Sequence, residues 1–272
     1  MRKWLGLAIA GFLLVLSSSW LSVSRSLAIP QSDSQPNYGQ HLLQLHQDDR
    51  PVASPLVAQA PAVPVTTESV VYATIDGKPI TGYLARPAES SENLPAILVI
   101  HEWWGLNDNI KQMTQRLAGE GYTALAVDLY EGQVADTPEQ ARVLVEAARQ
   151  NPDRVNQHMA QAYQYLETEQ QAPKIASLGW CFGGGVSLQT ALLLPDQLDA
   201  AVIYYGRLET DPEVLRPLEM PILGIFGSLD ENPSVDSVKQ FEAALNSLKK
   251  PAEIHIYEGA NHAFANPSGT RY

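Results

Sequence analysis

The sequence has 272 residues, of which 45% are hydrophobic and 18% charged, and its formal net charge is −12. This length suits one or two domains, and the composition is typical of a folded globular protein. A negatively charged surface is repelled by nucleic acids and by anionic membranes. We therefore expect no nucleic-acid partner.

The first 28 residues have the pattern of a secretory signal peptide. Arg2 and Lys3 give a positive start, an apolar run covers Trp4 to Leu16, and Ser26-Leu27-Ala28 supplies small residues before a cleavage point. The apolar run is short for a membrane-spanning helix, which needs ~20 residues, so an uncleaved anchor is the weaker alternative. We predict export to a periplasmic, lumenal or secreted location, cleavage after residue 28 and no stable membrane association afterwards.

Residues 29–67 are rich in Pro, Gln, Ser and Ala and show no sustained apolar period, which predicts a flexible spacer. We place the folded domain at residues 68–272. Near its start, Asp76-Gly77-Lys78-Pro79 separates two runs of strand-forming residues, and this pattern predicts a β-hairpin.

Short apolar runs then alternate with segments of helical periodicity. This alternation predicts an α/β domain with a mostly parallel sheet and helices on both faces. In such sheets ligands bind beyond the carboxyl ends of the strands. The predicted strands cover 96–100, 122–127, 175–178, 200–205, 222–226 and 253–257, and the predicted helices cover 108–118, 138–149, 152–166, 185–194 and 234–248.

The segment Gly179-Trp180-Cys181-Phe182-Gly183 follows a predicted strand and precedes a predicted helix. A G-x-C-x-G pattern in this context is typical of a nucleophile elbow, because glycines leave room for a sharp turn beside the nucleophile. Cys181 is the only cysteine, so no internal disulfide can form. The alternative interpretation is a small buried hydrophobic residue.

An acid and a histidine follow the cysteine in the order that this elbow requires, each just beyond a predicted strand. His262 would exchange protons with the thiol and the leaving group, and Asp230 would orient His262. Each also has an ordinary alternative: Asp230 as a turn cap with Asn232, and His262 as a surface loop residue. The histidines show no metal-binding spacing, so we predict neither a metal nor another cofactor.

The strand at 96–100 leads into His101-Glu102-Trp103-Trp104. An oxyanion hole needs one backbone N–H from this loop, for which we choose Trp103, and one from Phe182. Trp104 is a candidate for the lining of the substrate pocket, although a lid or core position fits an adjacent pair of tryptophans equally well.

Four segments together resemble the dienelactone hydrolase family: H-E-W-W-G-L-N at 101–107, G-W-C-F-G-G at 179–184, G-S-L-D at 227–230 and G-A-N-H-A-F at 259–264. The resemblance implies an α/β-hydrolase fold, a small-molecule ester or lactone substrate and a Cys181–His262–Asp230 triad. It also implies that Glu102 contacts the resting thiol and turns away when substrate binds.

Two features depart from the family pattern. The prototype uses an arginine four positions after its histidine to bind a substrate carboxylate, where this chain has Asn266. Arg142 is a loose match to a second family arginine. We therefore expect a weaker preference for anionic lactones. Members of the family usually carry a final helix after the histidine loop, whereas this sequence stops at Tyr272, ten residues past His262. We therefore expect either a shortened sequence or a fold without that helix.

These observations predict hydrolysis of an ester or lactone through a thioester on Cys181. One alternative is a broader carboxylesterase acting on acyl or sugar esters. Another, from a different class, is a non-catalytic binding module built on a degenerate hydrolase fold.

Overall fold

The computed structural model describes residues 38–46, 49, 60–90 and 93–266. The predicted signal peptide lies outside the described residues, and so does the end of the chain to which the expectation about a final helix applies. No helix in the described part is both long enough and apolar enough to cross a membrane.

The described residues form one eight-stranded sheet of the predicted, mostly parallel kind, in the order β1-β2-β4-β3-β5-β6-β7-β8. The pairs β1–β2 and β2–β4 are antiparallel, and all other neighbours are parallel. The strands are β1 (Val65–Ile75), β2 (Lys78–Pro87), β3 (Ala96–Ile100), β4 (Thr123–Val127), β5 (Ile175–Trp180), β6 (Ala200–Tyr204), β7 (Ile222–Gly227) and β8 (Ala252–Tyr257).

Helices connect most of the parallel strands, and the central ones pack directly on the sheet. The helices are α1 (Tyr38–Leu45), α2 (Asp108–Gly119), α3 (Pro138–Gln150), α4 (Pro152–Thr168), α5 (Phe182–Leu193), α6 (Pro212–Leu215) and α7 (Val235–Ser247). Helix α5 contacts β5 and β6, and α2 contacts β2 and β4. Strands β3 and β4 are buried along their whole length, which explains their uninterrupted apolar sequence.

The predicted hairpin is present and closes through a two-residue turn. Asp76 and Gly77 both have positive φ, at 51° and 74°. Such a turn matches the right-handed twist of the two strands, and it favours Asp followed by Gly because few other residues adopt these angles cheaply.

The spacer prediction for 29–67 is wrong for at least two segments. Residues 38–45 form α1, which packs on α3, and β1 begins at Val65, three residues before the predicted domain start. Within α1, Leu42 and Leu45 are buried. Two leucines one turn apart bury one face of a short helix, and this signal was hidden by the surrounding polar and proline-rich sequence.

The turn between β5 and α5 depends on glycines because backbone packs against backbone there. A Cβ at Gly179 would lie 2.1 Å from the Gly183 carbonyl oxygen, and a Cβ at Gly183 would lie 2.4 Å from the Ile100 carbonyl oxygen. At Gly185 the nearest atom would be 3.5 Å away, an ordinary contact. The helix begins at Phe182, three residues before the predicted start at Gly185.

We predict opposite effects for two alanine substitutions in this turn. Gly179→Ala should lower the free energy of unfolding by about 1–3 kcal/mol or more, because neighbouring backbone must move. Gly185→Ala lies in a helix with room for a methyl group and should raise it by about 0.5–1 kcal/mol. Urea denaturation measures both. Equal effects of the two substitutions would contradict this account of the turn.

Candidate active site

Cys181 occupies a strained position between β5 and α5. Its φ is 55° and its ψ is −118°, an uncommon conformation for a residue with a side chain, and strain of this kind costs about 1–3 kcal/mol. Its N–H donates to the Tyr204 carbonyl at 3.0 Å, which ties the turn to the next strand. The buried thiol sits at the amino end of α5, where the helix dipole favours a negative charge.

The side chains of Cys181, His262 and Asp230 form a continuous buried chain of contacts. Nε2 of His262 lies 3.3 Å from Sγ of Cys181, and Nδ1 of His262 lies 2.9 Å from Oδ2 of Asp230. The other carboxylate oxygen, Oδ1, accepts from the Asn232 N–H at 2.8 Å. Asp230 thus both caps a turn and holds the histidine, which fixes the direction of the imidazole.

The charges of Cys181, His262 and Asp230 stabilise one another. Burial alone would raise the pKa of Cys181, but the adjacent His262 and, after it, His46 lower the pKa to about 6. Burial alone would lower the pKa of His262, but Asp230 and Cys181 raise it well above its usual value. These contacts therefore favour a thiolate on Cys181 and an imidazolium on His262 at neutral pH.

Glu102 has a different partner from the one that the family resemblance implies. Its Oε2 accepts from Nδ2 of Asn266 at 2.6 Å, whereas the hydrogen-bond partner of the Cys181 thiol is His262. Burial, and next the negative charge of Cys181, raise the pKa of Glu102 to about 8. Asn266, predicted to line the substrate pocket, lies buried against this carboxyl group.

The four other pocket and oxyanion candidates have clear positions. Trp103 and Trp104 are fully buried, with ring centroids 5.0 Å apart in an edge-on arrangement, so Trp104 has the core position that was one of its alternatives. Arg142 forms an ion pair with Glu146 one turn along the same helix, at 2.8 Å. Phe182 is the first residue of α5, where the N–H has no acceptor within the helix.

A cavity of about 260 Å³ opens beside Phe182. Its lining includes Tyr38, Arg149 and Arg207, and the Arg149 guanidinium lies 4.3 Å from the centre of the Tyr38 ring. Burial, and next the charge of Arg207, lower the pKa of Arg149. The two guanidinium groups are therefore close enough to repel each other. Neither takes part in any ion pair among the described residues.

Sequence reasoning missed two further side chains that contact the site. The ring of His46, just after α1, lies 5.2 Å from the ring of His262, and the ring of Tyr205 lies at the same distance from it. Nδ1 of His46 is 2.6 Å from Oδ2 of Asp49. The sequence signal for this pair is a His-x-x-Asp spacing next to two leucines, in a segment interpreted as a spacer.

Comparison with known proteins agrees with this architecture. The model of the dienelactone hydrolase family matches residues 80–272. The chain belongs to the dienelactone hydrolase family. It is 32% identical over 243 residues to a protein of Saccharolobus solfataricus named "putative carboxymethylenebutenolidase", covering 75% of this chain and 91% of that one. A protein of the same name from Salmonella typhimurium is 32% identical over 234 residues, with 79% and 84% covered.

A solved structure from Klebsiella pneumoniae, titled as that of a "putative dienelactone hydrolase", superposes with a TM-score of 0.69. It is 27% identical in sequence, and the match covers 77% of this chain and 92% of that one. The similarity of both sequence and fold extends over nearly the whole of the known proteins, so this member of the dienelactone hydrolase family is a hydrolase by relationship.

One cluster of side chains among the described residues has the composition of a metal site. Ligand atoms of His46, Cys181 and His262 all lie within 4.8 Å of one another. Their separation in sequence explains why spacing gave no hint of this group. A soft divalent metal held there would occupy the thiolate, so metal binding and acyl transfer at Cys181 would exclude each other.

We predict that Glu102 makes stability depend on pH. Between about pH 4.5 and pH 8 the folded protein keeps a proton on Glu102 that the unfolded chain releases. The free energy of unfolding should therefore fall as pH rises through this window, by up to about 1.4 kcal/mol per pH unit from this group. Glu102→Gln should remove that part of the dependence. Parallel pH profiles of the two proteins in urea denaturation would contradict the buried, protonated carboxyl group.

Proposed function

We propose that this protein hydrolyses small esters or lactones through a thioester on Cys181. The observation that carries the proposal is the buried contact chain of Cys181, His262 and Asp230 at the carboxyl edge of a parallel sheet. Burying three ionisable groups side by side costs stability unless each is paired, so the arrangement points to chemistry. It also disfavours the alternative of a non-catalytic binding module.

The reaction begins when the Cys181 thiolate attacks the carbonyl carbon of the substrate. A C–S bond forms, and the negative charge on the oxygen is stabilised by the N–H groups of Phe182 and Trp103. The C–O bond to the alkoxy group then breaks, and the His262 imidazolium gives its proton to the leaving oxygen. Asp230 holds His262 in the orientation that this transfer needs.

Water completes the cycle. It loses a proton to a neutral imidazole and attacks the thioester carbonyl, the C–S bond breaks, and Cys181 leaves as a thiolate. A thiolate with a pKa of about 6 is a good leaving group, because it is stable without a proton at neutral pH.

The most direct test of the nucleophile is Cys181→Ala. We expect this variant to fold and to lose all turnover of a p-nitrophenyl ester above the uncatalysed rate, because no other thiol exists in the chain. Circular dichroism checks the fold. A folded Cys181→Ala protein with wild-type turnover would exclude the thioester route.

The cavity beside Phe182 indicates the class of substrate. Arg149 and Arg207 line it, while the Glu209 carboxylate at the same wall accepts from the N–H groups of Thr210 and Asp211 at 2.7 and 2.8 Å. Two guanidinium groups without a paired carboxylate favour an anionic ligand. We therefore propose that the substrate carries a carboxylate or a similar anion, in place of the weaker anionic preference inferred from Asn266 alone.

This preference can be measured with a carboxylated lactone and a neutral analogue of the same size. Arg207→Met should lower kcat/KM for the carboxylated lactone by about 10- to 100-fold relative to the neutral one, since a charge-assisted contact contributes about 1.5–3 kcal/mol. Arg142→Met is the matched control, because Arg142 is paired with Glu146. An unchanged ratio in Arg207→Met would rule out this pocket as the site of the anion.

A further inference from the structure

The segment that contains α1 lies against the active site and not apart from it. Leu42 is fully buried, and α1 packs on α3. The segment places Tyr38 in the wall of the cavity and carries His46 and Asp49 into the interior, where both are buried. A flexible spacer would not place two polar side chains in the interior, because burying such groups costs free energy unless they are hydrogen-bonded.

His46 and Asp49 repeat the relationship between His262 and Asp230 on another side of the same thiol. In each pair Nδ1 of the histidine meets a carboxylate oxygen, at 2.6 Å for His46 and 2.9 Å for His262. The ring of His46 is held 4.8 Å from that of Trp103. The Cys181 sulfur therefore lies within 4.8 Å of one ring nitrogen from each of two histidine–aspartate pairs.

The two pairs differ in what the remaining nitrogen contacts. Nε2 of His262 is engaged with Sγ of Cys181 at 3.3 Å. Nε2 of His46 is buried and makes no hydrogen bond of normal geometry within the described residues, and one ring nitrogen of His46 lies within 4.8 Å of the ligand atoms of Cys181 and His262. Burial lowers the pKa of His46, but Asp49 and the charge of Cys181 raise it above its usual value. In the thioester that charge on the sulfur is gone, which favours neutral His46. Neutral His46 that donates from Nδ1 to Asp49 carries its lone pair on Nε2, so it can accept a proton there.

We propose that His46, oriented by Asp49, is a second catalytic base that activates the water in thioester hydrolysis. This role rests on the proposed function, since it needs an acyl group on Cys181. The water gives one proton to Nε2 of His46, and its oxygen forms a bond to the thioester carbonyl carbon. The C–S bond breaks, and the electron pair stays on the Cys181 thiolate.

The remaining protons also balance. The carboxylic acid product gives its proton to His262, which had lost one to the alcohol, and so restores the thiolate–imidazolium pair. His46 releases its proton to solvent. His262 thus serves the first half of the reaction and His46 the second.

The test uses the full chain with a chelator present, because His46, Cys181 and His262 together have the composition of a metal site. Turnover of p-nitrophenyl acetate is followed in wild type, His46→Ala, Asp49→Asn and Gln44→Ala. The protein mass in acid-quenched samples is measured by mass spectrometry, which detects an acetyl group on the protein. Gln44 is the matched control, since it is exposed on the same helix.

We expect His46→Ala to lose 10²- to 10⁴-fold in turnover, the usual contribution of general acid–base catalysis, and to accumulate the acetyl thioester. Asp49→Asn should share the defect in part, Gln44→Ala should behave as wild type, and added imidazole should restore turnover in His46→Ala. Accumulation and imidazole rescue would not accompany a purely structural defect, and circular dichroism of each variant checks the fold.

Three results would overturn the assignment. Unchanged turnover in His46→Ala would show that His46 takes no part in the reaction. Faster turnover would show that the segment containing α1 obstructs the active site. A fall in turnover without thioester accumulation would place His46 before the acyl intermediate or outside the chemistry. Failure of the proposed function looks different, because then Cys181→Ala keeps its activity and no protein in the series carries an acetyl group.

Discussion

The contact between the Cys181 thiol and the His262 imidazole is the interaction on which the rest of the site depends. A buried charge is costly unless an opposite charge compensates it, so the thiolate needs the imidazolium and the imidazolium needs Asp230. Holding the thiol there requires the positive φ of Cys181, and that turn in turn requires Gly179 and a close approach of backbone to backbone. The local strain is repaid by the ion pair that it makes possible.

Much of this arrangement can be predicted from local sequence. The β3 strand was predicted at its observed bounds, because a fully apolar pentapeptide between polar segments has few other uses. The hairpin followed from Asp76-Gly77, a pair with a strong turn preference. The proximity of Cys181, Asp230 and His262 followed from topology, because β5, β7 and β8 are parallel and end at one edge of the sheet.

What local sequence does not reveal are contacts between distant segments. His46 lies near Cys181 although 135 positions separate them in sequence, and α1, with eight residues, is too short for its periodicity to stand out. The Arg149 and Arg207 pair depends on how α3 and the loop after β6 meet. Glu102 shows the same limit, since the family pattern indicated its position but not that its partner would be Asn266.

We infer that Cys181 is a thiolate at neutral pH because His262 is charged beside it. Titration of the thiolate absorbance in the ultraviolet, taken as the difference between wild type and Cys181→Ser, tests this most directly. We expect a midpoint near pH 6, which moves up towards the usual range of a free thiol in His262→Ala. A wild-type midpoint near 9, or one that His262→Ala leaves unchanged, would contradict it.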